Sequence, residues 1–167
     1  MKAILIFFLI FVFFPGHTQE STECACCQHV YRQFDFWVGD WVVKSKESKI
    51  LGYNTLTKRE EGCMISEYWR SKRGGTGRST NFFDSSDSTW NQLWISSSGH
   101  ILELKGKLIN GSMVLKSAVK SNEKGSYRDR ITWTPHADGT ILQKWDLLTP
   151  EGQVLRTAFE GVYYPKE

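Results

Sequence analysis

From about residue 40 onward, apolar and polar residues alternate with a period close to two, in runs of about six to ten residues broken by turn formers. These runs start near Asp40, Thr55, Cys63, Gly77, Thr89, Ile101, Met113, Asp129, Ile141 and Val154. The breaks carry Gly52-Tyr53-Asn54, Glu61-Gly62, Gly74-Gly75, Asp84 to Asp87, Ser98-Gly99, Asn110-Gly111, Ser121 to Gly125, Asp138-Gly139 and Glu151-Gly152. Asn-Gly and Asp-Gly suit two-residue hairpin turns, because both central residues tolerate positive φ. No connection is long enough for a crossover helix, so the strands are expected to pair antiparallel. A meander of this kind closes naturally into an up-and-down β-barrel of about eight to ten strands. One segment reads otherwise: Val30, Phe34 and Trp37 recur at offsets of four and three. That spacing predicts a short N-terminal capping helix over Gln28 to Phe36, stopped by Gly39.

The strand faces hold an unusual mixture. Seven Trp residues are present, most of them inside predicted strands and two positions from a polar partner. Glu67 and Trp69 share a face, as do Ser79, Asn81 and Phe83, then Trp90, Gln92 and Trp94, and later Gln143 and Trp145. A period of two places each set on one side of its strand. The other sides, with Asn91, Leu93 and Ile95 or Leu142 and Lys144, are mixed as well, so the pattern leaves open which side faces inward. With the Trp and amide side inward, the lumen combines flat aromatic walls with a few placed polar groups, the usual make-up of a small-molecule site. The competing arrangement is a solid core whose amides are satisfied by backbone or buried water.

The chain opens as an export signal does. Lys2 is followed by an apolar run from Ala3 to Phe14, then Pro15, Gly16 and Thr18 before a cut at Gln19. A bilayer-spanning helix needs roughly 20 apolar residues, and this run is shorter. The expected organisation is a signal peptide at 1–18, a Cys-containing segment at 19–33 and a barrel domain at 34–167, secreted or periplasmic, with no stable membrane insertion after cleavage. Cys24, Cys26, Cys27 and Cys63 are disulfide candidates, which suits an oxidising compartment. A bond from the N-terminal group to Cys63 is preferred, and a soft-metal site on the thiol cluster is the alternative. The net charge of +3 is scattered, and its densest stretch, Arg70 to Arg73, abuts a predicted turn. A nucleic-acid surface needs a broader basic face.

Other chemistry is thin. Glu67 and Asp84 form a candidate acid/base pair that no spacing brings together. His100 and His136 stand in turns, and His29 beside the Cys cluster. There is no Gly-x-Ser-x-Gly elbow, and Gly74, Gly75 and Gly77 lack the Lys and the following helix of a phosphate loop. Arg128 and Arg130 share a face and suit an anion or water equally.

The segment Phe34-Asp35-Phe36-Trp37-Val38-Gly39-Asp40-Trp41 resembles the opening motif of an uncharacterised family of bacterial proteins, many of them exported. The likeness continues through Gly52-x-Asn54, Gly62-Cys63, Glu67-x-Trp69, Gly77-x-Ser79-x-Asn81-Phe82-Phe83-Asp84, Trp90-x-Gln92-x-Trp94, Gly106, Gly111-x-Met113 and Thr132 to Pro135. It extends into Asp138-Gly139, Gln143-x-Trp145 and Phe159-x-Gly161-x-Tyr163. Phe83 stands where the family's Asn-Phe-Tyr-Asp stretch has Tyr. The resemblance implies a calycin-like barrel related to lipocalins and nitrobindin. Gly39-Asp40-Trp41 is similar to the lipocalin Gly-x-Trp opening, with Arg156 as the late-strand Arg expected over the Trp. The histidines offer no haem-ligand arrangement, and no cofactor is implied.

The leading expectation is an exported protein that binds a small molecule without catalysis. Trp69, Trp90, Trp94 and Trp145 supply walls, while Glu67, Asn81, Gln92, Gln143 and Arg130 supply polar contacts. The alternatives are an enzyme acting on a small molecule or glycan, with Glu67 as acid or base and Arg130 stabilising charge, and a filled barrel acting as an interaction module.

Overall fold

The computed structural model describes residues 24–123 and 125–166. The segment expected to be an export signal, 1–18, and the expected cut before Gln19 lie outside the described residues. Among those described, no helix is long and apolar enough to cross a membrane.

Eleven strands follow one another among the described residues: β1 (Gly39–Lys44), β2 (Ile50–Arg59), β3 (Met64–Ser71), β4 (Thr76–Asp84), β5 (Thr89–Ser96), β6 (Ile101–Ile109), β7 (Ser112–Lys116), β8 (Lys120–Asn122), β9 (Gly125–Pro135), β10 (Ile141–Leu148) and β11 (Val154–Pro165). Each of β1 to β7 pairs with the next, β7 pairs with β9, and β9, β10 and β11 continue the sheet. The ring closes where β11 meets β1, with Val43 opposite Tyr163 and Trp41 opposite Pro165. Every pairing is antiparallel, so the predicted up-and-down barrel is present with ten strands in the ring. The short β8 stands outside it, paired only with the first residues of β9.

The expected turn at Gly52-Tyr53-Asn54 is instead the middle of β2. The chain reverses earlier, where the Ser45 N–H donates to the Lys49 carbonyl (2.8 Å) and Ser48 takes a φ of 61°. Gly52 and Asn54 serve packing rather than turning. A Cβ on Gly52 would lie 2.5 Å from the Trp69 ring and 2.4 Å from the Arg70 carbonyl oxygen, so only glycine admits the indole there. Asn54 points inward and is buried.

The short N-terminal helix forms as two consecutive 3-10 turns, His29–Arg32 and Asp35–Trp37. Its aromatic side chains close one end of the barrel. Phe34 and Trp37 are fully buried, with ring centroids 4.8 Å apart, and both pack on Trp133, at 5.2 and 4.9 Å. Trp90 meets Phe34 edge-on at 5.6 Å. Below this plug, Leu56, Ile65, Leu104, Met113 and Leu115 complete an apolar core. On β3, β4, β5 and β10 the Trp and amide faces turn inward, which settles the ambiguity the alternation left.

Cys26 bonds to Cys63 and Cys24 to Cys27. The first ties the cap to the start of β3, as preferred from the sequence. With all four thiols in disulfides, the thiolate cluster weighed as a soft-metal site does not exist. Arg156 also departs from expectation. It lies opposite Leu147 on β11, nine residues before Pro165, the partner of Trp41. At about 3.4 Å per residue, that is most of the barrel's length away. The Trp41 indole N–H instead donates to the Trp37 carbonyl (2.9 Å), and its ring meets Tyr163.

The loop closed by Cys26–Cys63 spans 37 residues, which corresponds to about 4 kcal/mol in the chain-entropy account. The double variant Cys26→Ala, Cys63→Ala is expected to lose stability of that order in urea denaturation, and Trp37→Ala about 3–5 kcal/mol from the emptied plug. An unchanged midpoint in either case contradicts the role assigned to the cap.

Candidate functional site

At the end opposite the aromatic plug, the lumen is not filled. A cavity of about 160 Å³ lies between the ends of β3, β5, β10 and β11. That is close to the size of an engineered cavity known to hold benzene. Its upper walls are Trp69, Trp94, Trp145 and Phe159, all partly exposed, and its lower walls include Leu102 and Ile131. Glu67, Gln92, Gln143 and Tyr163 supply its polar surface.

Glycines set the Trp walls. Trp69 leans across Gly52, and Trp94 leans across Gly77, where a Cβ would fall 2.6 Å from the indole. In both cases the glycine lies on the neighbouring strand, two residues from the position directly opposite the Trp, Asn54 for Trp69 and Ser79 for Trp94. Trp145 is fixed differently: its N–H donates to Asp129 Oδ1 (2.8 Å), a carboxylate also paired with Lys120 Nζ at 3.1 Å. His100, exposed in the β5–β6 turn, stacks on Trp145 and meets Trp94 edge-on, with both centroids 6.1 Å away. Trp69 meets Phe159 in the same edge-on manner.

The polar floor is one connected network. Glu67 is directly opposite Ser79 in the β3–β4 ladder, and the Ser79 hydroxyl donates to Glu67 Oε2 at 2.5 Å. Asn54 Nδ2 donates to Glu67 Oε1 at 2.7 Å and reaches the Tyr163 hydroxyl oxygen at 3.3 Å. Tyr163 in turn donates to Gln143 Oε1. Ser79 Oγ accepts from Asn81 Nδ2 (2.8 Å) and Gln92 Nε2 (3.4 Å). With two N–H groups already pointed at its oxygen, Ser79 has its own hydrogen free for Glu67 alone. Both carboxyl oxygens of Glu67 are therefore acceptors, the arrangement of an ionised group. Glu67 is 5% exposed, and no salt bridge reaches it among the described residues. Burial pushes its pKa up, and the bonds from Ser79 and Asn54 offset this only in part. Burial, and then the charge of Glu67, raises the Tyr163 hydroxyl well above its ordinary value, so it stays neutral.

Six of the residues expected at the site come together at the cavity: Glu67, Trp69, Gln92, Trp94, Gln143 and Trp145. Three do not line it. Trp90 belongs to the plug at the closed end, where its N–H reaches Gln33 Oε1 at 3.3 Å. Asn81 sits deeper, bonded to the Ile65 carbonyl as well as Ser79. Arg130 is on the outer wall, since its neighbour Ile131 faces in. There it donates to Asp146 Oδ2 at 2.6 Å. Burial pushes the Asp146 pKa up, but the bonds from Arg130 and Thr157 and the charge of Lys144 together hold it below its usual value. Asp84 is also remote from Glu67: it ends β4 beyond Phe82, the partner of Met64, at the closed end, where it caps Ser86. His136 bonds Thr140 at that same end.

Asn54, Tyr163 and Phe159 were not expected at the site. Asn54 was hidden in an apparent turn motif. Phe159-x-Gly161-x-Tyr163 does carry the same spacing of inward positions as the other strands. No family model matches the chain, and no curated protein matches it either.

Because its folded-state pKa is raised, Glu67 binds its proton more tightly in the folded chain than in the unfolded one. Its contribution to stability is complete below the ordinary glutamate value and is lost as pH rises through the raised value. The stability of the wild type relative to Glu67→Gln is therefore expected to fall with rising pH over that window, with a slope of at most about 1.4 kcal/mol per pH unit. Urea midpoints of both proteins from pH 4 upward check this, and a flat difference contradicts the burial described.

Proposed function

We propose that the protein is an exported, calycin-like barrel that binds a small molecule non-catalytically in the cavity at its open end. The observation that carries this reading is the pairing of a hollow, Trp-walled mouth with a floor of prearranged polar groups. Filling space alone gives no reason to bury a carboxyl and several amides, because each costs free energy to desolvate. The indole walls rest on glycines and on Asp129, so the cavity is preformed rather than assembled by its occupant, which lowers the ordering cost of binding. The volume suits a ligand of few heavy atoms. The mixed lining suits a partly polar molecule better than a fatty acid. Export is proposed from the apolar N-terminus and the two disulfides, which persist in oxidising compartments such as the periplasm or the cell exterior.

A second reading has one observation in its favour. A buried carboxyl with a raised pKa beside a cavity is the setting of many acid/base catalysts. Against it, the Arg130 that was to stabilise charge faces outward and is paired with Asp146. An interaction module with a filled lumen fits less well. The outer wall does expose Leu93, Ile95 and Ile101, but the mouth is hollow.

Three of the cavity's walls are indoles, so occupancy is expected to change intrinsic Trp fluorescence. Titration of the mature protein with pooled small metabolites should give a saturable change that is lost in Trp94→Ala, with the circular dichroism of the variant unchanged. No response to any pool contradicts the binding proposal. Turnover of a screened substrate that vanishes in Glu67→Gln would favour the enzyme.

A further inference from the structure

The chemistry of the cavity narrows the class of ligand, on the premise that the cavity is a binding site. Charge is the first consideration. None of the lining residues is Lys or Arg, and Glu67 is the one carboxyl among them. The groups facing Glu67 are Asn54 from β2, Ser79 from β4 and Tyr163 from β11, with Gln92 and Gln143 at the adjoining cavity wall. All are neutral. A carboxylate with this wiring and no counter-cation is a charge waiting to be paired, since an unpaired buried ion is costly and an apposed opposite charge offsets that cost.

Beneath the cavity, buried Asn54 Oδ1 has no partner and Tyr163 has given its only hydrogen to Gln143. The Gln92 and Gln143 amides at the wall carry N–H groups that suit a neutral oxygen elsewhere on the same ligand. An anionic ligand would meet Glu67 as a like charge with no Lys or Arg to offset it.

The walls supply the third consideration. Trp69, Trp94, Trp145 and Phe159 present aromatic groups around the space above Glu67, and the negative face of an aromatic ring attracts a cation, Trp most strongly. Aromatic walls around one acidic group form the kind of enclosure that recognises ammonium groups.

We propose that the cavity binds a small monovalent organic cation, an amine or methylated ammonium, whose charge pairs with Glu67 and whose alkyl groups contact the indoles. The same head group occurs on a free small molecule and on a lysine side chain of another protein, and both present the chemistry the cavity fits.

Calorimetric and fluorescence titrations of the mature protein with choline, n-butylammonium and 3,3-dimethylbutan-1-ol, the uncharged carbon isostere of choline, test this. Choline or butylammonium should bind about tenfold or more tighter than the isostere. Glu67→Gln should abolish that preference, weakening binding of the cations more than binding of the isostere, because the charge that pairs with the cation is removed. Trimethyllysine in a blocked peptide separates the sources. Binding as tight as choline's marks a protein-borne head group, and much weaker binding marks a free ligand; either supports the cation. Isostere binding equal to that of both cations overturns the proposal and leaves the pocket reading intact. So does a cation preference unchanged in Glu67→Gln. Binding of none of these probes, when another neutral or anionic molecule does bind, also overturns it. If no molecule of any class binds, both readings fall. Should Glu67→Gln not fold, the comparison of choline with its isostere on the wild type decides.

Discussion

The ladder between β1 and β11 is the constraint on which the rest of the molecule depends. It joins the first and last strands of the ring and gives the sheet an inside. Once the ring is closed, the period of two along each strand forces alternate residues into a single lumen. Tyr163 shows the consequence. It faces inward from the closing strand, opposite Val43, and reaches across to Asn54 and Gln143. An open sheet would leave the same residues on a solvated face, where neither the network around Glu67 nor the hollow above it could persist.

The lumen then divides into two unlike halves. At one end Phe34 and Trp37, brought in by the N-terminal 3-10 turns and tethered through Cys26–Cys63, meet Trp90 and Trp133 in an aromatic plug. At the other end no described segment enters the barrel, and the indoles of Trp69 and Trp94 lie back on glycines instead of filling the centre. The same residue type thus does two jobs. Trp90 and Trp94 sit on one face of one strand, four residues apart, yet one is sealed in the plug and the other stands at the rim of the cavity. What separates them is Gln92 and the polar layer it joins, where Ser79, Glu67 and Asn54 exchange hydrogen bonds across three strands.

Much of this was legible in the sequence. The turn chemistry at Asn110-Gly111, where both residues take positive φ, and at Asp138-Gly139 marked real hairpins, and the alternation located the strands to within a few residues. The faces of Glu67/Trp69 and Gln143/Trp145 were readable as well. Other features depend on contacts between distant strands, which local pattern cannot contain. Gly52 looks like a turn former until the Trp69 ring is seen lying on it. Trp90 looks like Trp94 until the cap arrives. Arg130 looks available until Asp146 on the next strand pairs with it on the outside. Arg156 looked able to cover Trp41 because register along β11 sets its height in the barrel, and sequence separation does not reveal that height.

The central claim is that Glu67 is buried at the floor of the cavity, held by hydrogen-bond donors and, among the described residues, facing no cation of the protein's own. The most direct measurement is the carbon-13 chemical shift of the Glu67 side-chain carboxyl, followed by NMR as a function of pH and assigned through Glu67→Gln. A midpoint clearly above the ordinary glutamate range is the result this account requires. A midpoint at or below that range would show a solvated or ion-paired carboxyl and contradict it.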